Sequence, residues 1–105
     1  SAAIQRAYEG AARIPLEVAR RAAALLDPAR VATEEGNANA ASDGLSAAHA
    51  LHAAAHAALA NVSINAAGLK DEVVAGELGT EVDALKARAD ELLEAARAAF
   101  AARIA

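Results

Sequence analysis

The sequence predicts an all-α protein: an antiparallel helical bundle with a central Ala-rich helix over about 43–67 and a long C-terminal helix over about 80–104. Ala, Leu, Glu, Arg and Lys dominate the chain, and these side chains lose little freedom in a helix. The β-branched residues are sparse and never alternate with period two, so no half-buried strand is written anywhere. Apolar positions recur instead at spacings of three and four, the period of a helix with one buried face.

The first segment, Ala2 to Arg13, places Ile4, Ala7, Tyr8 and Ala11 on one stripe, with Glu9 and Arg13 at i,i+4 outside it. Pro15 predicts a bend, because proline lacks an amide donor and biases Ile14 away from helical ψ. From Leu16 the series Val18, Ala22, Leu25, Ala29, Ala32 predicts a second amphipathic stretch. Asp27-Pro28 inside it reads as an N-cap and first-turn proline that divide it in two. Gly36-Asn37 closes it, and Asn37 to Ser42 reads as a loop.

Ser42 or Asp43 caps the next helix, which runs to about Ala67. Leu45, Ala48, Leu51, Ala55, Leu59 and Val62 form one face of it, while Ala50, Ala54, Ala57, Ala58 and Ile64 cover another. A helix apolar on two sides is expected to be packed on both. Thr80 with Asp83 supplies a start signal for the last helix, whose stripe is Leu78, Val82, Leu85, Ala89, Leu92, Ala96 and Ala99.

Composition bounds the function. The chain has 105 residues, a formal net charge of −4, no Cys and no Trp, with Tyr8 and Phe100 its single Tyr and Phe. One domain fits this length, and the missing Cys excludes disulfides, thiolate metal sites and cysteine nucleophiles. An acidic chain without aromatic platforms is a poor partner for nucleic acid. No apolar run is long enough for a membrane span and no secretion signal is present, so a cytoplasmic protein is expected. About a third of the residues are Ala, which bury little area each, so a homodimer or higher homo-oligomer formed through apolar helix stripes is expected.

Three polar features interrupt the Ala background. Asn37, Ser42 and Asp43 read either as cap and loop residues or as polar groups gathered at a helix N-terminus, where a carboxylate can move protons. Asn61 and Asn65, at i and i+4, read either as a structural hydrogen-bond network or as amides recognising a heterocycle, since each offers donors and an acceptor. His49, His52 and His56 lie within one helical strip, with His52 and His56 at the i,i+4 spacing of a metal-chelating pair. No carboxylate accompanies them at ligand spacing on that helix, so they read as ordinary edge residues. They also lie opposite Asn61 and Asn65 on the helical wheel, so the two sets do not serve one site within a chain.

The order of these motifs resembles a family. Ile14-Pro15-Leu16-Glu17-Val18-Ala19, then Gly36-Asn37, Ser42-Asp43, Asn61-Val62-Ser63-Ile64-Asn65 and Leu69-Lys70-Asp71 look like the cyclodeaminase/cyclohydrolase domain related to the C-terminal half of formiminotransferase-cyclodeaminase. The resemblance implies a dimeric, all-helical domain acting on a one-carbon tetrahydrofolate. Its reaction would be ammonia loss from 5-formiminotetrahydrofolate or hydrolysis of the 5,10-methenyl bridge. It implies Asp43 as the catalytic acid/base, with Asn37, Ser42, Asn61 and Asn65 as folate-binding residues. A tetrahydrofolate derivative is then the substrate, and no metal is expected. The family's glycine-rich segment, ending in a Gly-Gly-Gly-Ser-like motif, has no counterpart here, so the chain is expected to match the C-terminal portion of such a domain and to need an N-terminal portion for catalysis. The alternative is a non-catalytic helical oligomerisation module, which predicts that these polar groups are all hydrogen-bonded to protein.

Overall fold

A computed structural model describes residues 1–105. Three helices account for nearly all of them: α1 (Ala2–Glu35), α2 (Ala38–Ala66) and α3 (Glu72–Ile104). The expected all-α class holds. α1 and α2 form an antiparallel hairpin and α3 returns alongside both, giving a rod of 58 × 17 × 14 Å. Its radius of gyration is 16.5 Å, against about 13 Å for a compact domain of this length.

α1 is continuous where a bend at Pro15 and a break at Pro28 were expected, since both prolines lie inside the helix. The reason at Pro15 is visible. Proline cannot donate to the carbonyl four residues back, which is that of Ala11, and Asn65 Nδ2 on α2 donates to Ala11 O instead at 3.2 Å. A neighbouring side chain thus supplies the bond that the proline removes.

The first connection is shorter than expected. Asn37 is the N-cap of α2, its side-chain oxygen accepting from Ala40 N at 2.9 Å, so Ala38 to Ser42 are helical. Ser42 and Asp43 therefore lie in the second turn and do not cap. α3 likewise starts before Thr80. Asp71 caps it by accepting from Val73 N and Val74 N, and Thr80 Oγ1 donates back to Gly76 O at 3.0 Å, so Gly76 and Gly79 are absorbed into the helix.

The core is two thin layers in series. Ala12, Leu16, Ala19, Ala58, Leu59, Val62, Leu78 and Val82 pack at one end. Ala22, Leu26, Ala29, Ala48, Ala55, Ala89, Leu92 and Ala96 pack at the other, where only two side chains exceed a methyl. The face of α1 turned into the bundle is Ala12, Leu16, Ala19, Ala22, Ala23, Leu26, Ala29 and Thr33, a rotation from the expected stripe that leaves Val18 and Leu25 half-exposed. Of the second apolar face of α2, expected to be packed, Ala58 is buried in the core, whereas Ala50, Ala54, Ala57 and Ile64 are exposed and open within the chain.

Side chains from other helices tie the ends. Gln5 donates from Nε2 to Gly68 O at 3.1 Å and accepts from Lys70 N at 2.8 Å, fixing the α2–α3 turn to the start of α1. Arg103 donates to Thr33 O and Glu34 O, serving carbonyls left free at the end of α1. Between them, Arg20 Nε and Nη2 fork onto both oxygens of Glu81 at 2.5 and 2.6 Å, joining α1 to α3 by the bidentate geometry that suits guanidinium. This pairing lowers the Glu81 carboxyl below its ordinary range.

Candidate functional site

Asn65 stands beside the pocket of this molecule, a concavity of about 280 Å³ lined by Ile4, Ala7, Tyr8, Ala11 and Asn65. Its volume lies just under the range usual for small-molecule sites, it is largely open to solvent, and its wall is apolar apart from the amide. Gly68 shapes the rim, because a Cβ at that residue would sit 2.6 Å from the Tyr8 ring. Asn65 Nδ2 is already committed to Ala11 O and, at 2.9 Å, to Asn61 O. Asn61 Nδ2 donates to Ala57 O at 3.3 Å. Asn65 therefore spends both N–H donors on backbone and Asn61 one of its two, and each keeps its carbonyl oxygen available.

Asn37, Ser42 and Asp43 lie at the opposite end of α2. Asn37 is occupied as the cap, and Ser42 Oγ donates to Asn39 O at 3.2 Å. Asp43 is exposed and has no ion pair within the chain. From Asp43 to Asn61 is eighteen residues, about 27 Å of helix at 1.5 Å each. One chain therefore does not bring Asp43 together with Asn61 and Asn65. Eighteen residues are also five whole turns, so Asp43 and Asn61 point in the same direction.

The strip between them carries no charge. Ser46, Ala47, Ala50, Ala53, Ala54 and Ala57 are all exposed on α2, as is Ile64 just beyond Asn61. Beside it, on the side of α1 turned away from α3, Ile14 is 73% exposed, Leu25 55% and Val18 50%. These are large apolar side chains facing one way, an exposed apolar patch.

The histidines form a separate arrangement. His52 Nε2 and His56 Nε2 meet one oxygen, Asp90 Oδ1 on α3, at 2.6 and 2.8 Å. Their rings lie 4.3 Å apart, tilted by 35°. These contacts lower the Asp90 carboxyl below its usual range, the His52 bond first and the His56 bond second. Sequence reasoning missed Asp90 because it comes from another helix; its i,i+4 pair of partners on α2 was the only signal. His49 is exposed and takes no part. As the helical wheel requires, this cluster and the asparagines occupy different sides of α2.

Three helices in this order, an uncharged exposed strip on the central helix and an amide at an apolar concavity near the helix ends define a small all-helical domain. Residues 1–84 match the family described as Formiminotransferase-cyclodeaminase, and the chain belongs to that family. It is 36% identical over 94 residues to a methenyltetrahydrofolate cyclohydrolase of Methylorubrum extorquens, a match covering 90% of this chain and 45% of that protein. The chain thus spans less than half the length of this relative. No helix is long and apolar enough to cross a membrane.

Proposed function

We propose that this chain contributes a binding site for a one-carbon tetrahydrofolate, and that the site is completed between two copies of the chain. The observation that carries the reading is that Asn65, a residue implied by the motif resemblance, is the one polar lining of the apolar pocket. The cyclohydrolase name of the similar bacterial protein favours hydrolysis of the methenyl bridge over ammonia loss. The free carbonyl oxygens of Asn61 and Asn65 would accept from N–H groups of a pterin ring, with Tyr8 and Ile4 against its face.

Asp43 joins this site if a second copy pairs its α2 antiparallel to the first. A twofold axis beside Ala50 and Ala54 sets Asp43 of one copy level with Asn61 of the other. The exposed alanines allow two helices to approach to about 8 Å, and an isologous pairing of this kind is the commonest oligomer interface. Asp43 would then accept a proton from the water attacking the methenyl carbon and return one to the folate nitrogen as its bond to that carbon breaks. The glycine-rich segment expected of the family would come from a further N-terminal portion.

A non-catalytic oligomerisation module remains the second reading, favoured by the commitment of Asn37, Ser42, Asn61 and Asn65 to backbone hydrogen bonds. Calorimetric titration of the 105-residue chain with 5,10-methenyltetrahydrofolate separates the two. The folate reading predicts saturable binding that weakens at least tenfold in Tyr8→Ala and Asn61→Ala. No heat of binding at millimolar ligand would leave the module reading in its place.

A further inference from the structure

We propose that His52, His56 and Asp90 form a binding site for a divalent transition-metal ion that clasps α2 to α3. The three ligand atoms lie within 4.8 Å of one another, and both imidazole Nε2 atoms converge on a single carboxylate oxygen. Two imidazoles and a carboxylate suit zinc, iron, cobalt and nickel rather than magnesium or calcium, which take oxygen ligands.

Tetrahedral ligands about 2.0–2.1 Å from an ion stand roughly 3.3 Å from each other, so Asp90 must withdraw by about half an ångström from each ring, and the two imidazoles, the widest pair of the 4.8 Å cluster, must turn towards each other by about 1.5 Å. Asp90 is free to do this, because its side chain is 59% exposed. The histidines are about one-quarter to one-third exposed, which leaves an ion a route in and at least one position open to water. The histidines are held on consecutive turns of one helix, so the pair is arranged before the ion arrives.

The place in the fold gives the site a purpose. His56 follows Ala55, and Asp90 follows Ala89, both in the Ala-rich half of the core where Leu26 and Leu92 are the only large buried side chains and Leu45, Leu51 and Leu93 are partly buried at its edge. A clasp across α2 and α3 at this level supplies an attachment that methyl groups supply poorly. Metal binding to the folded arrangement alone is transmitted to stability. The site lies on the other side of α2 from Asn61, so it stands whether or not the chain binds folate.

The test uses untagged chain, stripped with a chelator and titrated with Co²⁺, followed by competition with Zn²⁺. One equivalent of Co²⁺ is expected to develop visible absorption of a low-coordinate ion and to be displaced by Zn²⁺. At a hundredfold excess over Kd, Zn²⁺ should raise Tm by about 10 °C. His56→Gln and Asp90→Asn should each weaken binding at least tenfold, while His49→Gln leaves it unchanged. In the unsubstituted chain, Zn²⁺ should shift the ring resonances of His52 and His56 and spare those of His49, a readout that does not depend on any variant folding. Absence of saturable binding, or equal shifts at all three histidines, would overturn the proposal.

Discussion

Asn65 carries structural weight and is also the residue on which the proposed site rests. Pro15 removes the donor that Ala11 O would have received, and Asn65 supplies it from the next helix. Because the two residues solve one problem, their substitutions are not additive. Asn65→Ala is expected to cost about 1 kcal/mol with proline in place and clearly less in a Pro15→Ala background, where the helix regains its own amide; urea unfolding of the four-member cycle measures the difference. Gly44 is a second such point. A Cβ there would lie 2.7 Å from Thr33 Oγ1 and 2.8 Å from Thr33 N, and Thr33 is fully buried with its hydroxyl donating to Ala29 O. Gly44→Ala should therefore destabilise by about 1–3 kcal/mol through forced separation of α1 and α2.

At the scale of the element, the periodic patterns told most. The interior face of α3 was legible: Leu78, Val82, Ala89, Leu92 and Ala96 are buried as their spacing predicts. The central helix was legible on one face only, since spacing reveals that a face is apolar but not whether this chain covers it. Helix boundaries were less legible because local signals compete. Asp71 and Thr80 are both cap-type residues, and Asp71 wins by holding two backbone amides. The bend expected at Pro15 is absent because its accommodation lies in tertiary structure, which spacing does not encode; Pro28 is also inside the continuous helix. The Asn61 and Asn65 motif was visible along the chain, whereas Asp90 beside the histidines was not.

The links between helices also set an acid limit on stability. Glu81 is lowered chiefly by its hydrogen bond to Arg20, and Asp90 chiefly by its hydrogen bond to His52. A carboxyl with a lowered folded-state pKa contributes stability that is fully present above its unfolded value, about 4.3 for Glu and 3.9 for Asp, and is lost as pH falls through the lowered one. Melting temperature is therefore expected to fall below about pH 4, and Asp90→Asn with Glu81→Gln should flatten that limb. A limb of unchanged steepness in the double variant would assign acid sensitivity to other groups.

For the molecule as a whole, the decisive quantity is how little it buries. Twenty of 105 residues are buried, and half of the core is nearly all alanine. Leu59, fully buried between the helices, is expected to cost about 2–5 kcal/mol on truncation to Ala, enough to unfold so thin a bundle at ambient temperature. The exposed Ile14, Val18 and Leu25 beside the uncharged strip of α2 belong in the same account. Leu25→Glu with Ala54→Glu should convert a dimer in sedimentation into a monomer of lower melting temperature; a chain that is already a stable monomer would remove the pairing.

The claim that a folate site forms between two copies is tested most directly by mixing variants. Asp43→Ala and Asn61→Ala chains are each expected to bind 5,10-methenyltetrahydrofolate weakly, since every site in either homodimer lacks one residue. After unfolding and refolding together in equal amounts, half of the dimers are mixed, and each mixed dimer rebuilds one site of two. Titration of the mixture should then recover about a quarter of the unsubstituted binding capacity at unsubstituted affinity. A mixture that binds no better than its components would contradict a site shared between chains.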